Sequence, residues 1–382
     1  MKNVIGVLLP QSNQYGSIGK DFMRGLKLAT DGCGVEYKIE GIGFGEDPKK
    51  LIDVAQKLIN QEELLLTTGL LGHGGVPELS KFMDDADEVL LYSDLGATIP
   101  YGLPTYSKVF CNSFDLTGSV YALGKYFEET NITDVAVSTC YYDAGYGFID
   151  ALGKSIMDGG KTNFSGHFIT PLEPRPNEAS LMKDFVEETS PQAIFASYNG
   201  AYAKEHLNFI KENGVNRTAP FYATPFSFSR QMIEENNEFL EGVSLISTWA
   251  PQLQSAPNKS FIGAYDEAYG NTPSEFALLG YENGLMICYL IEQAAATSEK
   301  NVAKLLQACT TEGPRGEIMF DTNTNRTQHD HFLFTVQNVT EVPTNQNKMN
   351  TLPRVQNEFW NEVRSTEPPK SFGGWFNAYL CH

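Results

Sequence analysis

Apolar positions along the first hundred residues alternate between two periods. Short apolar runs at 4–9, 37–41, 64–68 and 89–93 predict strands, and the stretches 20–30, 48–60 and 77–84 between them predict helices. In the second helix Leu51, Val54, Ala55, Leu58 and Ile59 stand at i, i+3, i+4, i+7 and i+8, which is one apolar stripe facing a sheet. Strands joined through helices run parallel, with helices on both faces. The rhythm resumes after 112–116. Strands are expected at 135–139, 167–170, 193–197, 221–224 and 243–248, with helices at 147–158, 177–189 and 203–213. A long helix at 274–296, another at 302–308 and a strand or hairpin within 317–337 follow, and 338–369, rich in Asn, Thr and Pro, reads as an irregular tail. The fold class is α/β, with two doubly wound parallel-sheet lobes.

Length agrees, since 382 residues exceed what one core usually serves and 41% hydrophobic residues exclude a disordered chain. The formal charge of −19 repels phosphate backbones and anionic lipid, so neither nucleic acid nor a membrane surface is an expected partner. The most apolar long stretch, 276–296, is interrupted by Glu282, Asn283, Gly284 and Glu292 and reads as a buried helix rather than a bilayer span. The strand pattern begins at Val4 and leaves no room for a signal peptide, so the protein is either cytoplasmic or has lost such a segment. Cys33, Cys111, Cys140, Cys288, Cys309 and Cys381 are scattered, without the paired spacing of a zinc site, and their pairing is not readable. The run Gly41-Ile42-Gly43-Phe44-Gly45 lacks the spacing of a dinucleotide fingerprint and no phosphate-binding P-loop occurs, so no cofactor is expected.

Ligands of open parallel sheets sit beyond the carboxyl ends of the strands. After the third strand comes Gly69-Leu70-Leu71-Gly72-His73-Gly74-Gly75-Val76-Pro77, where exposed backbone N–H groups at a helix start suit a carboxylate; equally, these glycines make a tight turn. After the fourth, Ser93-Asp94-Leu95-Gly96-Ala97-Thr98 offers N–H groups and a hydroxyl to the same place.

Several stretches resemble the branched-chain-amino-acid type of type I periplasmic binding proteins, the solute receptors of ABC importers. They are Gly6-Val7-Leu8-Leu9-Pro10 with Tyr15-Gly16, Asp47-Pro48-Lys49-Lys50, Gly96-Ala97-Thr98, Ala144-Gly145-Tyr146-Gly147, Trp249-Ala250-Pro251, Gly280-Tyr281-Glu282 and Gly313-Pro314-Arg315-Gly316. Their shared order carries the resemblance. It implies three hinge crossings, near 110–116, 247–253 and 321–331, and two discontinuous lobes, 1–113 with 249–325 and 114–248 with 326–382. It also implies a monomer in the periplasm or another extracytoplasmic space that binds a small molecule and delivers it to a membrane permease. Carried over by position, ligand contacts fall on Tyr15, Ile18, His73, Gly74, Gly75, Ala97 and Thr98 in the first lobe and on Tyr146, Tyr198, Tyr202 and Phe226 in the second, with Trp249 at the hinge. Two departures stand out: 224–227 reads Thr-Pro-Phe-Ser, without the acidic residue that holds an ammonium group in amino-acid receptors, and His73 replaces a small hydroxyl residue.

Such a pocket favours a carboxylate-bearing ligand, amino-acid-like or aromatic, stacked on rigid rings. Asp115, Asp143 or Glu282 are the carboxylates available to balance a cation, although Asp115 is also placed to cap the helix that follows it. Tyr146 and Tyr202 read equally as interface tyrosines, and Trp249 as hinge packing. Two other functions compete. A hydrolase would draw on His73, Ser93 and Asp94, but no GxSxG elbow or HExxH motif is present. A sensing module would keep the fold and regulate instead of feeding a transporter.

Overall fold

Strand β1 (Val4–Gln11) is followed by α1 (Ile18–Ala29), β2 (Glu36–Gly43), α2 (Pro48–Gln61), β3 (Leu66–Leu70), α3 (Val76–Asp85), β4 (Leu90–Asp94) and β5 (Val109–Ser113). These five strands form one all-parallel sheet in the order β2-β1-β3-β4-β5. β3, β4 and β5 are buried at every residue, as a sheet covered on both faces requires. Helix α2 starts where Asp47 accepts a hydrogen bond from Lys49 N and Pro48 sets the first turn.

The second half runs α4 (Leu116–Glu129), β6 (Asp134–Cys140), α5 (Phe148–Gly159), β7 (Asn163–Thr170), α6 (Glu178–Thr189), β8 (Ala193–Ser197), α7 (Gly200–Asn213), β9 (Phe221–Ala223), α8 (Arg230–Glu235), α9 (Asn237–Leu240) and β10 (Ser244–Ser247). There follow α10 (Ala256–Tyr269), α11 (Glu275–Ala296), α12 (Val302–Gln307), the hairpin of β11 (Thr310–Gly313) and β12 (Gly316–Met319), then β13 (His331–Thr335) and β14 (Lys348–Leu352). The second sheet is ordered β14-β13-β10-β9-β8-β6-β7. The computed structural model describes residues 3–44, 47–337, 348–352 (backbone only), 360, 363–367 and 378–381.

The structure departs from the sequence expectations at several elements. The second sheet is mixed, because β13 and β14 add antiparallel to β10. The hairpin lies at 310–319, before the place expected for it, and β13 is a separate strand of the large sheet. Part of the expected irregular tail is strand β14, while most of 338–369 lies outside the described residues. Helix α10 was not foreseen; its buried side, Asn258, Phe261 and Tyr265, is too narrow a stripe to stand out.

Helix α11 returns to the first sheet and crosses α1 at close range. A Cβ on Gly25 would lie 1.9 Å from Ala277 O, and one on Gly280 2.0 Å from Phe22 O, so only glycine lets the two backbones meet here. A disulfide joins Cys33 to Cys288 across the same contact, with Cα atoms 5.9 Å apart.

The passages between the sheets lie side by side. Arg315, wholly buried, pairs with Glu282 at 2.5 Å and donates to Ser113 O at 2.8 Å, Asn112 Oδ1 at 2.8 Å and Thr248 Oγ1 at 3.1 Å. Thr248 donates on to Phe114 O at 2.8 Å, and Cys111 exchanges backbone hydrogen bonds with Asn325 and Thr327. The buried guanidinium thus ties two of the three segments on which the sheets would hinge, and Asn112, which also accepts from Thr327 Oγ1 at 3.2 Å, joins the third to them. Among the described residues no helix is long and apolar enough to cross a membrane.

Candidate functional site

In the first sheet the strand order reverses between β1 and β3, which opens a crevice beyond their carboxyl ends. The loop after β1 carries Tyr15 into it. The 3-10 turn His73–Gly75 links β3 to α3, and the loop after β4 carries Ala97 and Thr98. Elements of the second sheet close over this edge. Gly200 N donates to Tyr15 Oη at 2.9 Å, Gly147 N donates to Ala97 O at 2.9 Å, and the His73 ring meets the Tyr146 ring edge-on with centroids 5.8 Å apart. Tyr15 and Phe276 pack edge to face at 6.3 Å, and Phe276 stacks on Phe226 at 6.1 Å.

At the centre of the facing surface sits Asp143, fully buried at the turn after β6. Its carboxylate accepts from Ser197 Oγ at 2.7 Å, Asn199 Nδ2 at 2.6 Å and Cys140 Sγ at 2.9 Å. Burial pushes its pKa up, and these hydrogen bonds hold it back. Tyr146, the next aromatic along the chain, is also buried, and desolvation keeps its phenol protonated.

The candidate residues do not all converge. Tyr15, Phe226 and Trp249 line one cavity of about 930 Å3, whose wall also includes Gly200, Lys204 and Phe276. Gly74 and Gly75 line a different cavity of about 390 Å3, against Gln11, Gly41 and Lys50. Thr98 is half-buried beside buried Ala97. Ile18 is fully buried in the first core under α1, and Trp249 spends its indole N–H on Asn258 Oδ1 at 2.8 Å. Tyr198 sits deeper. Its ring stacks on His206 at 3.8 Å and its hydroxyl bonds Ser138 at 2.7 Å, so it lies in the core of the second sheet beneath the crevice. Tyr202 packs on Tyr142 at 5.9 Å and donates to Leu172 O at 2.6 Å, away from Tyr146.

Asp115 is the N-cap of α4, accepting from Gly118 N at 3.3 Å, and Glu282 belongs to Arg315, so of the three carboxylates considered only Asp143 lies beside both Tyr15 and Tyr146. The hydrolase set is not assembled. Ser93 donates to Asn283 Oδ1 at 3.1 Å in the core, and Asp94 accepts from Ser113 Oγ at 2.5 Å with Arg326 at 3.6 Å, while His73 turns to Tyr146. Among the described residues no group of three or more His, Cys, Asp or Glu side chains is placed to hold a metal ion.

One occupant of the crevice was missed by sequence reasoning. Tyr379 is buried among Tyr146, Phe148 and Phe226, with ring centroids 5.0, 5.3 and 5.8 Å away. Tyr146 Oη donates to Ala378 O at 3.0 Å. The signal that could have found it is compositional: Tyr379 lies in an aromatic-rich run, Phe372-Gly373-Gly374-Trp375-Phe376-Asn377-Ala378-Tyr379-Leu380, apolar enough to seek burial.

The sequence matches the periplasmic binding protein family over residues 3–341. No curated protein matches it. Among solved structures, an ABC transporter solute-binding protein from R. palustris in complex with benzoate is 19% identical, with a TM-score of 0.71 over 98% of this chain and 99% of that one. An amino-acid ABC transporter substrate-binding protein from Pseudomonas fluorescens Pf-5 is 16% identical, with a TM-score of 0.74 over 97% and 98%. A solute-binding protein from Rhodopseudomonas palustris HaA2 in complex with p-hydroxybenzoic acid is 18% identical, with a TM-score of 0.70 over 88% and 93%. These relatives are solute-binding or substrate-binding proteins of ABC transporters.

Proposed function

From the premise that this chain belongs to the periplasmic binding protein family, we propose that it captures a small aromatic carboxylic acid between its lobes and delivers it to the permease of an ABC importer. The observation that carries the aromatic class is the set of Tyr146, Phe148 and Phe226 rings gathered around the phenol ring of Tyr379, with the His73 imidazole edge-on to Tyr146. Flat rigid rings bind a flat ring at little entropic cost. Against an amino-acid ammonium stand two observations: Asp143 already accepts three hydrogen bonds, and the loop at 224–227 brings no carboxylate. Glu234 and Glu275 line the cavity of Tyr15 and Phe226, so the comparison with leucine below is the deciding one. The benzoate and p-hydroxybenzoic acid carried by two structural relatives support the same class.

In this reading the lobes are 1–113 with 249–325 and 114–248 with 326–382, moving about the segments that Arg315 and Asn112 gather. The protein works as a monomer outside the cytoplasm, where the Cys33–Cys288 bridge is stable. Calorimetric titration and thermal shift with benzoate, 4-hydroxybenzoate, 3,4-dihydroxybenzoate and leucine test the ligand class. Saturable binding and a raised Tm with an aromatic acid, and none with leucine, is the expected result. The reverse order of preference removes the aromatic reading.

A further inference from the structure

The place where sequence positions and sheet topology converge is already filled by the chain itself. Residues 378–380 are buried, Tyr379 to 2% exposure, although they belong to no strand or helix of either sheet. The Tyr379 ring lies within 5.8 Å, centroid to centroid, of Tyr146, Phe148 and Phe226. Its hydroxyl is buried and makes no hydrogen bond of good geometry among the described residues, while Asp143, Thr224 and Tyr15 face it. A segment evolved only to pack would be expected to place that polar atom in water or against a committed partner. Here it lies beside Asp143, whose carboxylate already accepts three other hydrogen bonds.

We infer that residues 378–381 are a tethered occupant of the solute crevice, and that Tyr379 is a built-in competitor whose phenol fills the position of an aromatic ligand. This rests on the proposed ligand class for what is displaced, but not for where the segment sits. The hold includes the ring contacts, burial of Ala378 and Leu380 against the apolar core, the Tyr146 hydrogen bond to Ala378 O, and a turn closed by Cys381 N on Ala378 O at 3.2 Å. A tethered group acts at high effective concentration, so the apparent affinity for a free solute is reduced by the fraction of molecules whose crevice is filled. The device moves the working range to higher solute: at low solute the crevice is mostly plugged, and rising solute displaces the segment.

The test uses the full chain in two measurements. First, hydrogen exchange without ligand reads amide protection in 378–381 and in Asp143–Gly145. Exchange of 378–381 at least tenfold slower than an unstructured peptide, together with faster exchange at Asp143–Gly145 in Tyr379→Ala, is expected. Unstructured rates for 378–381 in the wild type, or no change at Asp143–Gly145, overturn the inference. Second, calorimetry with 4-hydroxybenzoate compares wild type, Tyr379→Ala and Tyr379→Phe. Binding at least tenfold tighter in Tyr379→Ala but not in Tyr379→Phe, which keeps the ring, is expected. Equal or weaker binding in Tyr379→Ala makes the ring a wall of the pocket and overturns competition. If no variant binds this acid, the ligand class proposed above falls, and the exchange measurement still decides the position of the segment.

Discussion

Asp115 sits at a backbone φ of 57°, a left-handed conformation that asparagine and aspartate tolerate better than other side-chain-bearing residues, and from there it caps α4. Burial pushes its pKa up to about 6, against the pull of Arg326. Below the unfolded-state value the group is protonated in both states and costs nothing. As pH rises towards 6 the unfolded chain releases a proton that the folded chain keeps, so stability falls through that window and stays lowered above it. A shift of about two units bounds the effect at roughly 3 kcal/mol. Asp115→Asn keeps the cap and the backbone conformation and removes the charge. Urea unfolding between pH 4 and 7 is therefore expected to show a flatter profile and a gain of about 1–2 kcal/mol at pH 7; a loss at pH 7 would mean the charge is used elsewhere. The capping role was one of two readings open from spacing alone. What spacing did not reveal was that Tyr198, at a strand end, turns inward to stack on His206, because a period of two says which face a residue takes and not what it meets there.

Among elements, α1 and α11 show how small residues and a covalent link act together. Gly25, Gly280 and Gly284 let the helices approach backbone to backbone, and Cys33–Cys288 locks the contact over a sequence separation of 255 residues. Replacing both cysteines by serine is expected to lower stability by about 3–5 kcal/mol, seen as a drop of several degrees in Tm, with the fold and ligand affinity kept. An unchanged Tm would show that glycine packing alone holds the pair. The long helix was legible as an apolar run, yet its partner was not, since helix-to-helix pairing leaves no mark in the period of either one. Strand β5 escaped for a related reason: it ends in Asn112 and Ser113, polar residues buried on Arg315 and Asp94, so its sequence looks like a loop.

For the whole molecule, the state of the crevice turns on how closely the two sheets' edges approach. Gly147 N reaches Ala97 O, and a Cβ at Gly147 would lie 2.9 Å from Ile99 N. Gly147→Ala therefore pushes on backbone across the crevice, an overpacking worth about 1–3 kcal/mol. The expected outcome is roughly tenfold weaker binding of the aromatic acid, by calorimetry, with a larger radius of gyration in small-angle scattering and an unaltered far-ultraviolet spectrum. Full affinity in this variant would show that the lobes need not meet here to hold solute.

The alternation of periods and the order of short motifs carried the α/β class and the family, because parallel strands buried on both faces must be apolar and the loops at their carboxyl ends must be small. The sequence also pointed to the loops at the strand ends as candidates for a ligand, and it carries neither a dinucleotide fingerprint nor a phosphate-binding P-loop. Only the tertiary structure decided which of those loops touch: that His73 meets Tyr146, that Asp115 and Glu282 are committed to a cap and a buried arginine, that Cys33 finds Cys288, and that Tyr379 lies in the crevice. The physical reason is range. Periodicity reports each residue's exposure to its own element, whereas a binding site is made by contacts between residues hundreds of positions apart, which no local pattern encodes.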